Sequence, residues 1–247
     1  MDLVLIVGAG LFAGYVNAIA GAGSLLTLPV LIFSGLDASA ANATNRIAVL
    51  TQAGTSGLAY RGRGVLPGRT GWWLTIPTSA AAAAGAYVAT LLEPDAIQVA
   101  IAIVMVVMLV LQFVRPRAVA GRPADELGVT PGLVVGFAVM GLYAGFIQAG
   151  TGVLVLLFLS LVYRVDLVSA NAIKVLVNLV LTVVAIAVFA GAGETIDLPR
   201  GLALAGATGL GGVVGARAAV RRGEGFVRLL LAAAVLASAA KLLCDAF

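Results

Sequence analysis

Two short stretches each set a cation among amides inside the apolar body of this chain. The first carries Asn42, Asn45 and Arg46; the second carries Asn171, Lys174 and Asn178. Each stretch follows a glycine-rich interruption, Gly21-Ala22-Gly23 before Ser24 and Gly150-Thr151-Gly152 before Val153. Asn17 and Gln148 stand just ahead of the two breaks. A cation, several amides and backbone N–H groups freed at a helix break are the parts that bind a small oxyanion. The candidate binding residues are therefore Asn17, Gly21, Gly23, Ser24, Asn42, Asn45, Arg46, Gln148, Thr151, Gly152, Asn171, Lys174 and Asn178. Structural roles compete with this reading. Arg46 and Lys174 each stand about a turn and a half into a helix and could snorkel to an interface, or bond carbonyls freed at a break.

Helical spacing unites the second set. Asn171, Lys174, Asn178 and Thr182 recur at steps of three and four, which is one face of a helix otherwise built from Val, Leu, Ile and Ala. In the first set, Gln52 and Ser56 follow Asn45 on its own face. A polar stripe on so apolar a helix faces a cavity or a partner helix rather than lipid. Neither helix interior holds an acid; Asp37 and Asp166 sit at the helix starts.

The two stretches are copies. The pattern G-L-[FY]-A-G-[YF]-[VI]-[NQ]-A begins at Gly10 and again at Gly141, and D-x-x-[AS]-A-N-A begins at Asp37 and again at Asp166. In this alignment Asn45 stands opposite Lys174, with Arg46 one position on.

Composition sets the frame for both copies. The chain is 62% hydrophobic and 11% charged, with a mean hydropathy of +1.12, where a soluble domain carries about 25% charged residues. That makes it a polytopic membrane protein. The absence of histidine and the single Cys244 exclude imidazole metal sites, histidine proton relays, disulfides and thiolate clusters. No cofactor and no metal is expected. MDLVLIVGAG has an acid and no basic n-region, so no cleaved signal is expected. The surplus of Lys and Arg marks cytoplasmic loops rather than a nucleic-acid partner.

Four apolar blocks make each half: 3–33, 40–60, 72–92 and 96–114, then 133–163, 167–190, 202–220 and 226–243. The expected organisation is a first repeat over 1–114, a cytoplasmic linker over 115–130 and a second repeat over 131–247. As one helix, the first block of either half would be about 46 Å long, against a hydrocarbon core of about 30 Å. It is read either as two half-helices or as one kinked span. If each first block enters and leaves on one side, the halves become inverted. Arg61, Arg63, Arg69, Arg115, Arg117, Arg122, Arg164, Arg217, Arg221, Arg222 and Arg228 then share one side, and only Arg200 and Lys241 oppose them. That distribution obeys the positive-inside rule far better than the alternative does. It puts both termini in the periplasm. The expected fold is thus an all-α polytopic membrane protein of two inverted-topology repeats, each a glycine-broken, hairpin-like first segment plus three transmembrane helices. Such repeats point to a secondary transporter.

The run A-G-x-x-N-x-x-x-G-x-G-S-L-L-T-L-P from Ala13 and A-N-A-T-N-R from Ala41 resemble the TauE/SafE sulfite exporter family. The duplicate from Gly141 and the G-x-x-x-G-A-R run from Gly211 are similar to that family's second half. The resemblance implies a bacterial inner-membrane transporter, usually counted as eight-spanning, for sulfite, sulfoacetate and related organosulfur or carboxylate anions. Members commonly carry Lys where this chain has Arg46, a departure that bears on selectivity.

The residues and the resemblance together give an alternating-access exporter of small organosulfur anions, held near the midplane between the two breaks. Competing readings are an anion channel, a carboxylate transporter, a divalent-cation permease, which needs buried Asp, Glu, His or Cys, and a membrane-embedded enzyme, which needs an acid–base or nucleophile pair. Expected partners are the small anion and membrane lipid, with no nucleic acid. The G-x-x-x-G pairs, Gly10/Gly14 and Gly141/Gly145, permit a homodimer without demanding one.

Overall fold

Where the sequence runs apolar, the backbone closes on itself in helices, the local answer to a solvent that offers no hydrogen bonds. The computed structural model describes residues 2–20, 23–62, 64–113, 121–218 and 224–246; for 2–3, 17–20, 24, 215–218, 224–230 and 246 it describes the backbone alone. Ten α-helices occur among the described residues, with no strand. They are α1 (Asp2–Ala20), α2 (Ser24–Phe33), α3 (Ala38–Gly62), α4 (Gly68–Thr90) and α5 (Pro94–Gln112) in the first half. The second half has α6 (Pro131–Phe146), α7 (Thr151–Leu157), α8 (Leu167–Gly191), α9 (Leu198–Ala218) and α10 (Glu224–Ala246). A π turn, Phe158–Val162, prolongs α7. Both first blocks are therefore interrupted where the glycines fall.

The repeated motifs begin at helix caps. Asp37 Oδ1 accepts from the Ala40 N–H at 2.8 Å. Asp166 Oδ1 accepts from Val168 and Ser169 N–H at 3.0 and 2.9 Å. Burial raises the Asp166 carboxyl, but the bonds from Ser169 and Val168 overcome that and hold it below its ordinary value. The linker is tied down at its described end. Arg122 N–H donates to Arg164 O at 2.9 Å, and Asp166 N–H donates to Arg122 O at 3.0 Å.

The two halves pack in matching pairs. Helix α1 lies against α9 as α6 lies against α4, and α3 meets α9 as α8 meets α4. Helices α3 and α8, counterparts of each other, meet directly, as do α5 and α10. The α3–α8 pair runs antiparallel: Gly57 faces Val175 near one end, while the Arg46 guanidinium lies over the Phe189 ring near the other.

The small-residue pairs are used within the chain. A Cβ on Gly14 would overlap the backbone of Thr208, and Cβ atoms on Gly141 and Gly145 would overlap the carbonyls of Thr78 and Ala82. Backbones approach closely because nothing projects between them. Gly145→Val is therefore expected to cost about 3 kcal/mol or more, read as a fall in the melting temperature in detergent. A wild-type melting point would show that α4 and α6 do not meet there.

The two seams differ in register. Gly85 of α4 meets the carbonyl of Leu142. Gly211 of α9, which aligns with Ala81, meets the carbonyl of Leu11, the counterpart of Leu142. Helix α9 thus sits about one turn, roughly 5 Å, along α1 relative to α4 on α6.

Large apolar side chains are exposed along the outer faces, among them Val107 and Val110 of α5, Val135 and Val139 of α6, and Leu210, Val213 and Val214 of α9. Asn42, Asn45, Arg46, Gln148 and Thr182 are buried. Apolar outside and polar inside is the arrangement a lipid solvent selects. Helices α5 and α8 are each long and apolar enough to cross a membrane.

Candidate functional site

A polar-lined cavity lies at the second break. Gly150 adopts a left-handed conformation, φ 70°, between α6 and α7, a turn that a side chain would strain. A cavity of about 110 Å³ opens beside it. Gln148 of the break, with Thr151 and Gly152 at the start of α7, forms one wall, Gln52 and Ser56 of α3 another, and Lys174 and Asn178 of α8 the third. Val49, Ala53 and Val175 complete the lining, which includes no acid. Lys174 is its one charge.

Two contacts place the lysine. Its Nζ donates to Asn171 Oδ1 at 2.6 Å, and Asn171 Nδ2 donates to Leu167 O at 2.8 Å. Its stem crosses the break, so a Cβ on Gly152 would stand 3.2 Å from Lys174 Cδ. A glycine at 152 thus leaves room for the lysine stem, and Asn171 Oδ1 holds its ammonium.

Arg46 does different work. It is fully buried. Its Nη1 donates to Ala144 O at 3.1 Å and to Gln148 Oε1 at 3.2 Å, and its Nη2 donates to Gly145 O. Asn42 Nδ2 donates to Phe146 O at 2.7 Å. The carbonyls of Ala144, Gly145 and Phe146 are the last of α6, the negative end of its dipole, which no further turn of helix satisfies. Arg46 and Asn42 close that helix end rather than line the cavity. Gln148 joins the two regions, because its Nε2 donates to Thr182 Oγ1 at 2.5 Å, and Thr182 donates to Asn178 O.

The first break has its own, smaller space. A cavity of about 20 Å³, room for one water, is lined by Gly23, Thr27, Asn45, Gln52 and Thr208, among others. Asn45 is the counterpart of Lys174, and both its polar side-chain atoms are buried without a partner. Gln52 and Val49 line both cavities. Of the remaining sequence candidates, Gly21 and the side chains of Asn17 and Ser24 lie outside the described residues. Gln52 and Ser56 were legible as the continuation of the Asn45 stripe. Thr27 and Thr208 carry no periodic signal that would single them out.

A helical body with its apolar side outward, broken helices and an acid-free polar cavity with one cation suit a membrane transporter. The comparisons agree and are more specific. Residues 6–242 match the family described as Sulfite exporter TauE/SafE, and the chain belongs to that family. A Sinorhizobium protein described as "Probable membrane transporter protein ORF9" is 26% identical over 96% of this chain and 90% of its own length. A Haemophilus influenzae protein described as "Probable membrane transporter protein" is 26% identical over 98% of this chain and 95% of its own. No solved structure matches the chain at a significant level.

Proposed function

We propose that the chain is a secondary exporter of small organosulfur anions such as sulfite or sulfoacetate, working by alternating access between two inverted-topology repeats. It lies in the bacterial inner membrane with its basic loops cytoplasmic and both termini periplasmic. The observation that carries the anion reading is the cavity at the second break, with Lys174 its only charge and amides and hydroxyls around it. The family description names sulfite export, and this narrows the class of oxyanion.

The antiparallel crossing of α3 and α8 supports inversion, because two copies of one element related by an axis in the membrane plane must run oppositely. The one-turn difference between the α1–α9 and α4–α6 seams supports alternating access: the two halves hold unlike arrangements of like parts, which could exchange. The potential of a negative-inside cell favours anion export by about 2.3 kcal/mol per charge per 100 mV, so export needs no coupling ion in principle.

The test is efflux from proteoliposomes loaded with sulfite or sulfoacetate under an imposed potential. A negative interior should accelerate net anion efflux and a reversed potential should slow it. Flux indifferent to potential would defeat the electrogenic mechanism, and saturable flux of dicarboxylates alone would reassign the substrate.

A further inference from the structure

Beside the α3–α8 seam lies a second and larger space. Gln52, Ser56, Lys174 and Asn178 face the anion cavity; two positions on, Gly54, Leu58 and Leu176 lie about 200° around their helices and face a groove of about 740 Å³. Its floor is apolar, formed by Gly54 and Gly57 of α3 against Val175, Leu176 and Leu179 of α8. It extends about 10 Å along α3 from Arg61 to Gly54. Arg61 and Arg69 stand at its open end with Asp125, a net positive mouth. Neither arginine makes an ion pair or a side-chain hydrogen bond among the described residues. Leu58, Leu66 and Trp72 on its lining are exposed, and Trp is a residue of the membrane–water interface.

We propose that this groove is a phospholipid site, its acyl chain lying along Gly54, Gly57 and Leu179 and its phosphodiester held by Arg61 and Arg69. The charge and the apolar floor select together. A free anion gains nothing from the floor, and an uncharged chain gains nothing from the mouth. The two glycines leave space that side chains on α3 would fill. A bound chain touches Val175, which also walls the Lys174 cavity, so occupancy of the groove bears on one side of the anion site. The site stands independently of which anion the protein carries.

Native mass spectrometry of the full chain in detergent, titrated with phosphatidylglycerol, tests it. Wild type should hold one lipid after annular lipids have been stripped. The double variant Arg61→Gln/Arg69→Gln should bind about twenty-five-fold more weakly, about fivefold for each arginine lost. Gly54→Leu should also weaken binding with both arginines in place, and no atom lies within 4 Å of where its Cβ would stand. Lys174→Ala should bind the lipid as wild type does. Wild-type binding by either groove variant would overturn the proposal, as would equal retention of a phosphate-free alkyl glycoside. Loss of the lipid in Lys174→Ala would also overturn it, because the headgroup would then be occupying the anion cavity.

Discussion

Lys174→Ala is expected to remove about half to nine-tenths of the thermal stabilisation that an organosulfur anion gives the detergent-solubilised protein, and to slow vesicle efflux. Lys174 is the one charge on the cavity, and a hydrogen bond from a charged donor is worth about 1.5–3 kcal/mol. Its loss should weaken binding by about ten- to one-hundred-and-fifty-fold. An anion at one hundred times its Kd stabilises the native state by about 2.7 kcal/mol, so about half to nine-tenths of the shift should vanish at the same concentration. The unliganded variant should melt close to wild type, because no carboxylate is left unpaired and a half-buried cation has been removed. Asn171→Ala should give a smaller loss: it frees the ammonium that Asn171 Oδ1 holds but keeps the charge. A panel of sulfite, sulfate, sulfoacetate, taurine, a dicarboxylate and a divalent metal, run on each variant, checks all of this. An undiminished anion response in Lys174→Ala, or stabilisation by the metal alone, would sink the anion site.

Much of the architecture was written in pattern. The two interruptions show because glycine clusters fall in runs too long for one span: α2 begins at Ser24 as expected, while the second break lies over 147–150 and α7 begins at Thr151, two residues before the expected start near Val153. The copied D-x-x-[AS] motifs show because an Asp at a helix start has a fixed partner three residues on, and both aspartates do cap their helices. The polar stripe on α8 shows because helical spacing is regular, and two of its members, Lys174 and Asn178, line one cavity. Spacing does not reveal what a side chain reaches across the fold. Arg46 and Lys174 are neighbours in the repeat alignment, yet one bonds helix α6 and the other faces the cavity. Long-range partners such as Ala144 and Gly145 have no signature in the sequence around Arg46. Nor does pseudo-symmetry survive at the level of charge: Asn45 stands where the second half has Lys174, and its cavity has shrunk to the volume of one water.

Arg46→Met is expected to be the most destabilising single change in the polar interior, at about 3 kcal/mol. The guanidinium supplies donors to Ala144 O, Gly145 O and Gln148 Oε1, and each buried acceptor left without a donor costs about 1–3 kcal/mol. Recovered desolvation of the cation offsets part of that sum. Methionine keeps the volume, so the loss reports the hydrogen bonds rather than a cavity. Arg46→Lys should restore part of the stability only. An ammonium keeps the charge beside the α6 dipole and the Phe189 ring, but it lacks the planar fork that reaches several acceptors at once. The decisive comparison is between stability and ligand response. If Arg46 is a helix-closing residue, Arg46→Met melts lower, yet the fraction still folded shifts with the anion as wild type does. If Arg46→Met melts like wild type and loses the anion response, then Arg46 is a substrate ligand, and the placement of its guanidinium on the α6 carbonyls is wrong for the working protein.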